Sequence, residues 1–132
     1  LLAGPSALID RAWSFRKRLG GGMRQVGILA AAGLWALDHN LGRIGEDHAR
    51  ARRLAEGWGA IDGVRVEPPD TNIVMVHLAA PGADPGAVAH RLEAAGVRVL
   101  PAGPARLRAV THLDVDDAGI ERAIEALGAA LA

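Results

Sequence analysis

Two helical patterns fill the first sixty residues and are separated by three glycines. Leu8, Ile9, Ala12 and Trp13 recur at helical spacing, which predicts a first helix that ends at Gly20–Gly22. Steps of three and four residues then continue from about Met23 to Gly57 and predict one long helix. The apolar seam of this helix consists of Leu34, Leu37, Leu41, Ile44, His48, Ala51, Ala55 and Trp58.

The opposite side of that long helix is charged, and we expect it to be solvated. Its residues are Arg43, Asp47, Arg50 and Arg53. Glycine weakens a helix interior by roughly 1 kcal/mol relative to alanine. A break near Gly42–Gly45 is therefore compatible with the pattern.

Shorter apolar runs dominate the second half of the chain. Asp84 with Pro85 behind it is a typical helix start, and Gly96 is a typical helix end. The final helix starts at Asp116 or Asp117 with an apolar stripe of Ile120, Ile124, Leu127 and Leu131. The predicted strands are Val64–Val66, Asn72–Leu78, Val97–Leu100 and Leu107–Leu113. This order predicts an α+β fold in which a small sheet lies under two or three helices.

Composition narrows the class of protein. The 132 residues suit one domain or part of a larger protein, and 15 basic and 15 acidic residues balance to a net charge of zero. This balance argues against nucleic acid and anionic membranes as partners. No apolar run reaches the ~18 residues of a membrane span, and cysteine is absent. We therefore expect a cytoplasmic protein without a disulfide or thiolate metal site.

Two places carry candidate chemistry. Gly20–Gly22, followed by Arg24, offers backbone N–H groups and a cation to an anion, although a flexible turn with solvated charges explains the glycines equally well. Arg108 lies within a strand, where its planar fork suits a carboxylate, unless it points outward from an edge strand. Near His112 and Asp114, helix capping explains the aspartates better than a metal does, so we expect no metal site. His48 and His77 are predicted to be hydrogen-bonded histidines of the core.

Several longer strings are specific to one family. They are RKRLGGGMRQ at 16–25, GILAAAG at 27–33, EDHA at 46–49, TNIV at 71–74 and LRAVTHLDV at 107–115. In this order they resemble the low-specificity L-threonine aldolases of the β-eliminating lyase/threonine aldolase group, which are fold-type I pyridoxal-phosphate enzymes. The resemblance runs along the whole chain without large gaps.

The resemblance implies a domain organisation. Residues 1–22 match the tail end of the large cofactor-binding domain, and residues 23–132 match a long connecting helix and the C-terminal small domain, whose sheet is mostly antiparallel with helices on one face. The chain lacks an initiator methionine, so we expect it to be the C-terminal portion of a longer protein.

The resemblance also implies site residues. Pyridoxal 5'-phosphate is held covalently by a lysine expected to precede Leu1, and Lys17, the only lysine here, matches a different one. Arg108 matches the arginine that grips the substrate α-carboxylate. Arg24 and Gly22 match the region of the cofactor phosphate. The residues expected near the active site without an assigned chemical role are Lys17, Gly20, Gly21 and His112.

The implied reaction is the retro-aldol cleavage of L-threonine or L-allo-threonine to glycine and acetaldehyde by a homotetramer or homodimer. The 132 residues alone are expected to be inactive because the covalent anchor is absent. Two alternatives stay open. One is a related β-hydroxy-amino-acid aldolase or a β-eliminating amino-acid lyase, and the other is a non-catalytic interaction module.

Overall fold

A computed structural model of the chain describes residues 2–80 and 82–132. The chain divides into two compact units, one ending at Leu41 and the other spanning Gly42–Ala132. The predicted boundary between residues 22 and 23 thus lies within the first unit. As an assignment to the domains of a larger enzyme, that boundary stays a prediction.

The first unit consists of two helices. Helix α1 spans Ser6–Arg18, as predicted, and helix α2 spans Gly27–His39. The start predicted at Met23 is wrong by about one turn, because residues 21–26 form an irregular loop. No residue of α1 or α2 is buried.

The predicted long helix is interrupted. After α2 the chain makes a 3₁₀ turn at Leu41–Arg43, and helix α3 begins at Ile44 and ends at Gly59. The break overlaps the predicted one. The apolar seam therefore does not form one buried face. Helix α3 buries Ala51, Leu54 and Trp58, whereas the first four seam residues are exposed, namely Leu34, Leu37, Leu41 and Ile44, the last at the start of α3. His48 is half-buried.

The second unit contains a four-stranded antiparallel sheet, which confirms the α+β prediction. Its strands, in the order β1–β2–β4–β3, are β1 Val64–Val66, β2 Ile73–Leu78, β4 Arg106–Val110 and β3 Leu100–Pro101. Helix α4 spans Pro85–Ala94 and helix α5 spans Asp117–Leu131. The side chains of Asp84 and Asp116 accept hydrogen bonds from the N–H groups of Gly86 and Gly119, so both predicted helix starts are confirmed.

Two predicted strands have different bounds. The strand predicted from Val97 begins only at Leu100, because the Val97 N–H donates to the Leu92 carbonyl and closes the end of α4. The strand predicted to reach Leu113 ends at Val110, since the chain turns there and the Val115 N–H bonds to the His112 carbonyl.

The three helices of this unit cover one face of the sheet, as predicted. Side chains along β2 and β4 alternate between the two faces, so every second residue enters the core. The buried strand residues are Val74, Val76, Leu78, Leu107 and Ala109. The opposite face of the sheet is left open.

Helix α3 packs closely against α5. The indole Nε1 of the fully buried Trp58 donates to the Ala123 carbonyl at 2.9 Å. Arg50, predicted to be solvated, bonds Asp117 at 2.7 Å, and this hydrogen bond raises the pKa of its guanidinium. Arg53 makes two hydrogen bonds of 2.8 Å to the carboxylate of Glu121. The expected solvated face is therefore confirmed at Arg43 and Arg53, which stay exposed, and wrong at Arg50, which α5 largely covers.

Substituting Gly57 tests this packing. A Cβ atom on Gly57 would lie 2.4 Å from Cδ1 of Ile124, so Gly57→Ala must displace the Ile124 side chain or push the helices apart. We expect a loss of about 1–3 kcal/mol in the free energy of unfolding, measured with urea. Gly45→Ala in the same helix, where nothing lies within 4 Å, is the control and should be neutral or slightly stabilising. Equal stability of the two variants would contradict the close approach of α3 and α5.

Candidate functional site

The glycine loop of the first unit folds back on the end of α1. Gly20 has φ of +76°, a conformation that favours glycine, and it ends the helical path. The Gly21 N–H donates to the Arg16 carbonyl at 2.8 Å, and the Arg16 Nε donates to the Gly21 carbonyl, also at 2.8 Å. The Arg16 guanidinium lies over the Trp13 ring, 5.0 Å from its centroid. The loop is therefore fixed against α1.

A small cavity lies under this loop. Its volume is about 80 Å³, and Trp13, Arg16, Lys17, Gly22 and Met23 line it. A Cβ atom on Gly22 would lie 3.2 Å from Cδ of Lys17, so a side chain there would crowd the lysine stem. Since a water molecule takes about 30 Å³ of liquid volume, the space suits a group of a few heavy atoms.

The surroundings of this cavity are cationic. Among the described residues, no carboxylate lies within ion-pair distance of Arg16, Lys17, Arg18 or Arg24. Helix α2 begins just beyond the loop without a side-chain cap. A phosphate group would fit these residues, because it would meet cations and a glycine that leaves room for it.

Arg108 lies on the open face of the sheet in the second unit. It is flanked by the buried Leu107 and Ala109, and the register places it opposite Met75 on one side and Leu100 on the other. Strand β4 is an inner strand, so Arg108 is not an edge residue. Its side chain is exposed, and in the described part of the chain it has no carboxylate partner.

A second charged row lies beside Arg108 on the same face. Arg65, His77 and Arg106 are direct cross-strand neighbours on β1, β2 and β4. His77 Nε2 is hydrogen-bonded to the Glu67 carboxylate, and this bond, followed by the charges of His77, Arg65 and Arg106, holds the pKa of Glu67 below its ordinary value. The expectation that His77 is a core residue is wrong, because the alternation of β2 directs it away from Val76 and Leu78. That alternation was the signal available in the sequence.

His112 follows β4 in an exposed turn. Its Nδ1 accepts a hydrogen bond from the Asp114 N–H at 3.3 Å. Within residues 2–80 and 82–132, no three histidine, aspartate or glutamate side chains are grouped so that they could hold a metal ion.

The predicted site residues thus fall into two groups. Lys17 and Gly20–Gly22 lie together at the end of α1, with Arg24 in the same loop. Arg108 and His112 belong to β4 and the turn behind it, in the second unit. Sequence reasoning missed two polar residues beside the second group, Asn72 and Thr111, which bond to each other across the end of the sheet.

Comparison with solved structures places the fold in a class. Alpha-aminoadipate aminotransferase from Thermus thermophilus, complexed with N-(5'-phosphopyridoxyl)-L-leucine, superposes with a TM-score of 0.65 at 19% identity, over 98% of this chain and 36% of that one. A C-DES variant with glycine covalently linked to its PLP cofactor gives a TM-score of 0.62 at 20% identity, over 77% of this chain and 28% of that one. At this identity the likeness shows the fold, which is that of fold-type I pyridoxal-phosphate enzymes.

Sequence comparison then gives the family. The model of the family described as Beta-eliminating lyase matches residues 1–81, and the chain belongs to this family. A probable low-specificity L-threonine aldolase 2 of Arabidopsis thaliana is 39% identical over 92% of this chain and 35% of its own length. A low specificity L-threonine aldolase of Escherichia coli (strain K12) is 44% identical over 87% of this chain and 33% of its own length. The chain thus spans about a third of these relatives, and the resemblance seen in the motifs is confirmed.

Among the residues that the structure describes, none of the helices is long and apolar enough to cross a membrane.

The pair of Glu67 and His77 predicts a pH dependence of stability. A carboxylate whose pKa is lowered on folding stabilises the protein above its ordinary pKa of 4.5, and this contribution is lost as the pH falls through the lowered value. We expect the unfolding free energy of the parent chain to fall more steeply below pH 4.5 than that of Glu67→Gln. Glu125→Gln, at an exposed position of α5, is the control and should follow the parent curve. Parallel curves for the parent and Glu67→Gln would contradict the pairing.

Proposed function

We propose that this chain is part of a pyridoxal-phosphate-dependent aldolase that cleaves L-threonine or L-allo-threonine to glycine and acetaldehyde. The observation that carries the proposal is the exposed Arg108, which has no carboxylate partner among the described residues and lies within a segment that resembles the threonine aldolases. Membership of the Beta-eliminating lyase family and the two threonine aldolase relatives support the reaction class.

The glycine loop suits the cofactor phosphate. Gly22 leaves the space, Lys17 and Arg24 supply positive charge, and Gly20 and Gly21 shape the turn. When bound, pyridoxal phosphate supplies an electron sink for the charge that develops at the substrate Cα. The part of these residues would be to bind the phosphate and so orient the cofactor.

Arg108 would position the substrate by binding its α-carboxylate. Its guanidinium can hold both oxygens of an α-carboxylate, which fixes where that carboxylate lies relative to the cofactor. With the substrate amine held at the cofactor, this limits rotation about the N–Cα bond. That rotation decides which bond at Cα is aligned for cleavage, so the arginine would favour cleavage of the Cα–Cβ bond. The open face gives it access to a ligand, because no helix of the second unit covers that side.

We further propose that the subunits associate, as a homodimer or homotetramer. Helix α2 supports this because its side chains are apolar from Ile28 to Leu37 and are exposed around the helix, and a helix that is apolar on every side is normally buried. The related activities stay distinguishable by product, since β-elimination releases ammonia and a keto acid, whereas aldol cleavage of threonine releases glycine.

Replacing Arg108 tests the carboxylate role. Arg108→Lys keeps the charge and loses the bidentate fork, so kcat/KM for L-threonine should fall by about 10- to 100-fold in the full-length protein, mainly through KM. Arg106→Lys, two residues earlier on the same face, is the matched control and should change KM little. Acetaldehyde release measured over a range of threonine concentrations decides between them. Equal effects of the two substitutions would overturn the assignment.

Lys17 is a separate test, because it is the only lysine of the chain. We propose that it does not anchor the cofactor. In the full-length protein, Lys17→Arg should therefore still give a borohydride-reduced pyridoxal-phosphate adduct on another lysine in a peptide mass map. The 132-residue chain alone should release no glycine from threonine. Loss of the adduct in Lys17→Arg, or glycine release by the chain alone, would refute the proposal.

A further inference from the structure

Thr111 is the one polar side chain that is buried in the described part of the chain, with 1% of its surface exposed. It lies three residues beyond Arg108, directly after the end of β4. Its backbone is hydrogen-bonded to the residue before β2, and its side chain is hydrogen-bonded to helix α3.

The main chain of Thr111 is held by Asn72, the residue before β2. The Thr111 N–H donates to the Asn72 carbonyl at 3.0 Å, and the Asn72 side-chain Nδ2 donates to the Thr111 carbonyl at 2.7 Å. One residue thus satisfies both backbone groups of Thr111, which extends the pairing of β2 with β4 beyond Val110.

The side chain of Thr111 reaches a helix. Its hydroxyl donates to the Asp47 carbonyl, in the first turn of α3, at 2.7 Å. Sixty-four residues separate the partners along the chain. The end of β4 is therefore tied to β2 and to α3 at a single residue.

These bonds matter for β4 because its pairing on the other side, with β3, is short. On that side, β3 has only two residues, Leu100 and Pro101, and proline has no N–H to donate. A slip of β4 by one residue would turn Arg108 into the core, and a smaller shift along the strand would displace its guanidinium from a bound carboxylate.

We propose that Thr111, held by Asn72, is a positioning residue. It fixes the position of Arg108 along the direction of β4 so that the guanidinium can bind the substrate carboxylate. The proposal rests on the proposed function, and Thr111 acts through Arg108 without touching the substrate. A merely structural threonine would change stability and the amount of folded enzyme, but not the KM of the enzyme that is folded.

The test compares variants in the full-length protein. Thr111→Val keeps the shape and removes the hydroxyl, and Thr111→Ser keeps the hydroxyl. We expect Thr111→Val to raise KM for L-threonine by roughly 3- to 10-fold with little change in kcat, and Thr111→Ser to restore most of the parent KM. In the Arg108→Lys background, Thr111→Val should raise KM no further, because Thr111 affects KM only through Arg108.

The outcomes separate this inference from the proposed function. An unchanged KM in Arg108→Lys overturns the role of Arg108 and this inference with it. A raised KM in Arg108→Lys together with an unchanged KM in Thr111→Val, or with additive effects in the double variant, overturns the inference alone. Should Thr111→Val fail to fold, Asn72→Asp removes the donor to the Thr111 carbonyl and must raise KM in the same way. Thermal unfolding of each variant supplies the readout of stability.

Discussion

Trp58 fills the centre of the second unit, where α3 meets α5 above the covered face of the sheet. Its ring is fully buried, and its one polar atom is satisfied by the Ala123 carbonyl. The neighbouring Gly57 lets Ile124 approach α3 without a Cβ atom in between. Because large apolar side chains dominate the energy of small cores, this contact holds α3 and α5 together over the core. The opposite face is left to Arg108 and the charged row beside it.

The charged side chains of the second unit also differ between the side covered by helices and the open face of the sheet. Arg50 and Arg53 bond carboxylates of α5 on the helical side and are engaged there. Arg108 on the open side has no such carboxylate among the described residues. An exposed arginine on an inner strand with apolar cross-strand neighbours is well placed for a ligand, because nothing on the sheet competes for its donors. In the first unit, Lys17 and Arg24 at the glycine loop likewise have no carboxylate partner among the described residues.

Local rules account for the parts of the fold that the sequence predicted well. Helices α4 and α5 carry an aspartate cap, and β2 has the apolar run of a strand, so their positions follow from neighbouring residues. Predictions failed where a distant element intervened. Arg50 meets Asp117 across 67 residues, and this pairing has no local signature. The continuous seam across Leu41, by contrast, is interrupted by a local feature, the 3₁₀ turn Leu41–Arg43.

Motifs and local periodicity are enough to indicate the family, the elements of the second unit, the glycine loop with its cations, and the place of Arg108 in a strand between two apolar residues. The folded chain adds that this strand is an inner one, that its open face carries His77 and Arg106, and that Thr111 ties its end to Asp47. A strand specifies the alternation of its side chains, whereas the packing of helices far away in the sequence selects the side that is buried.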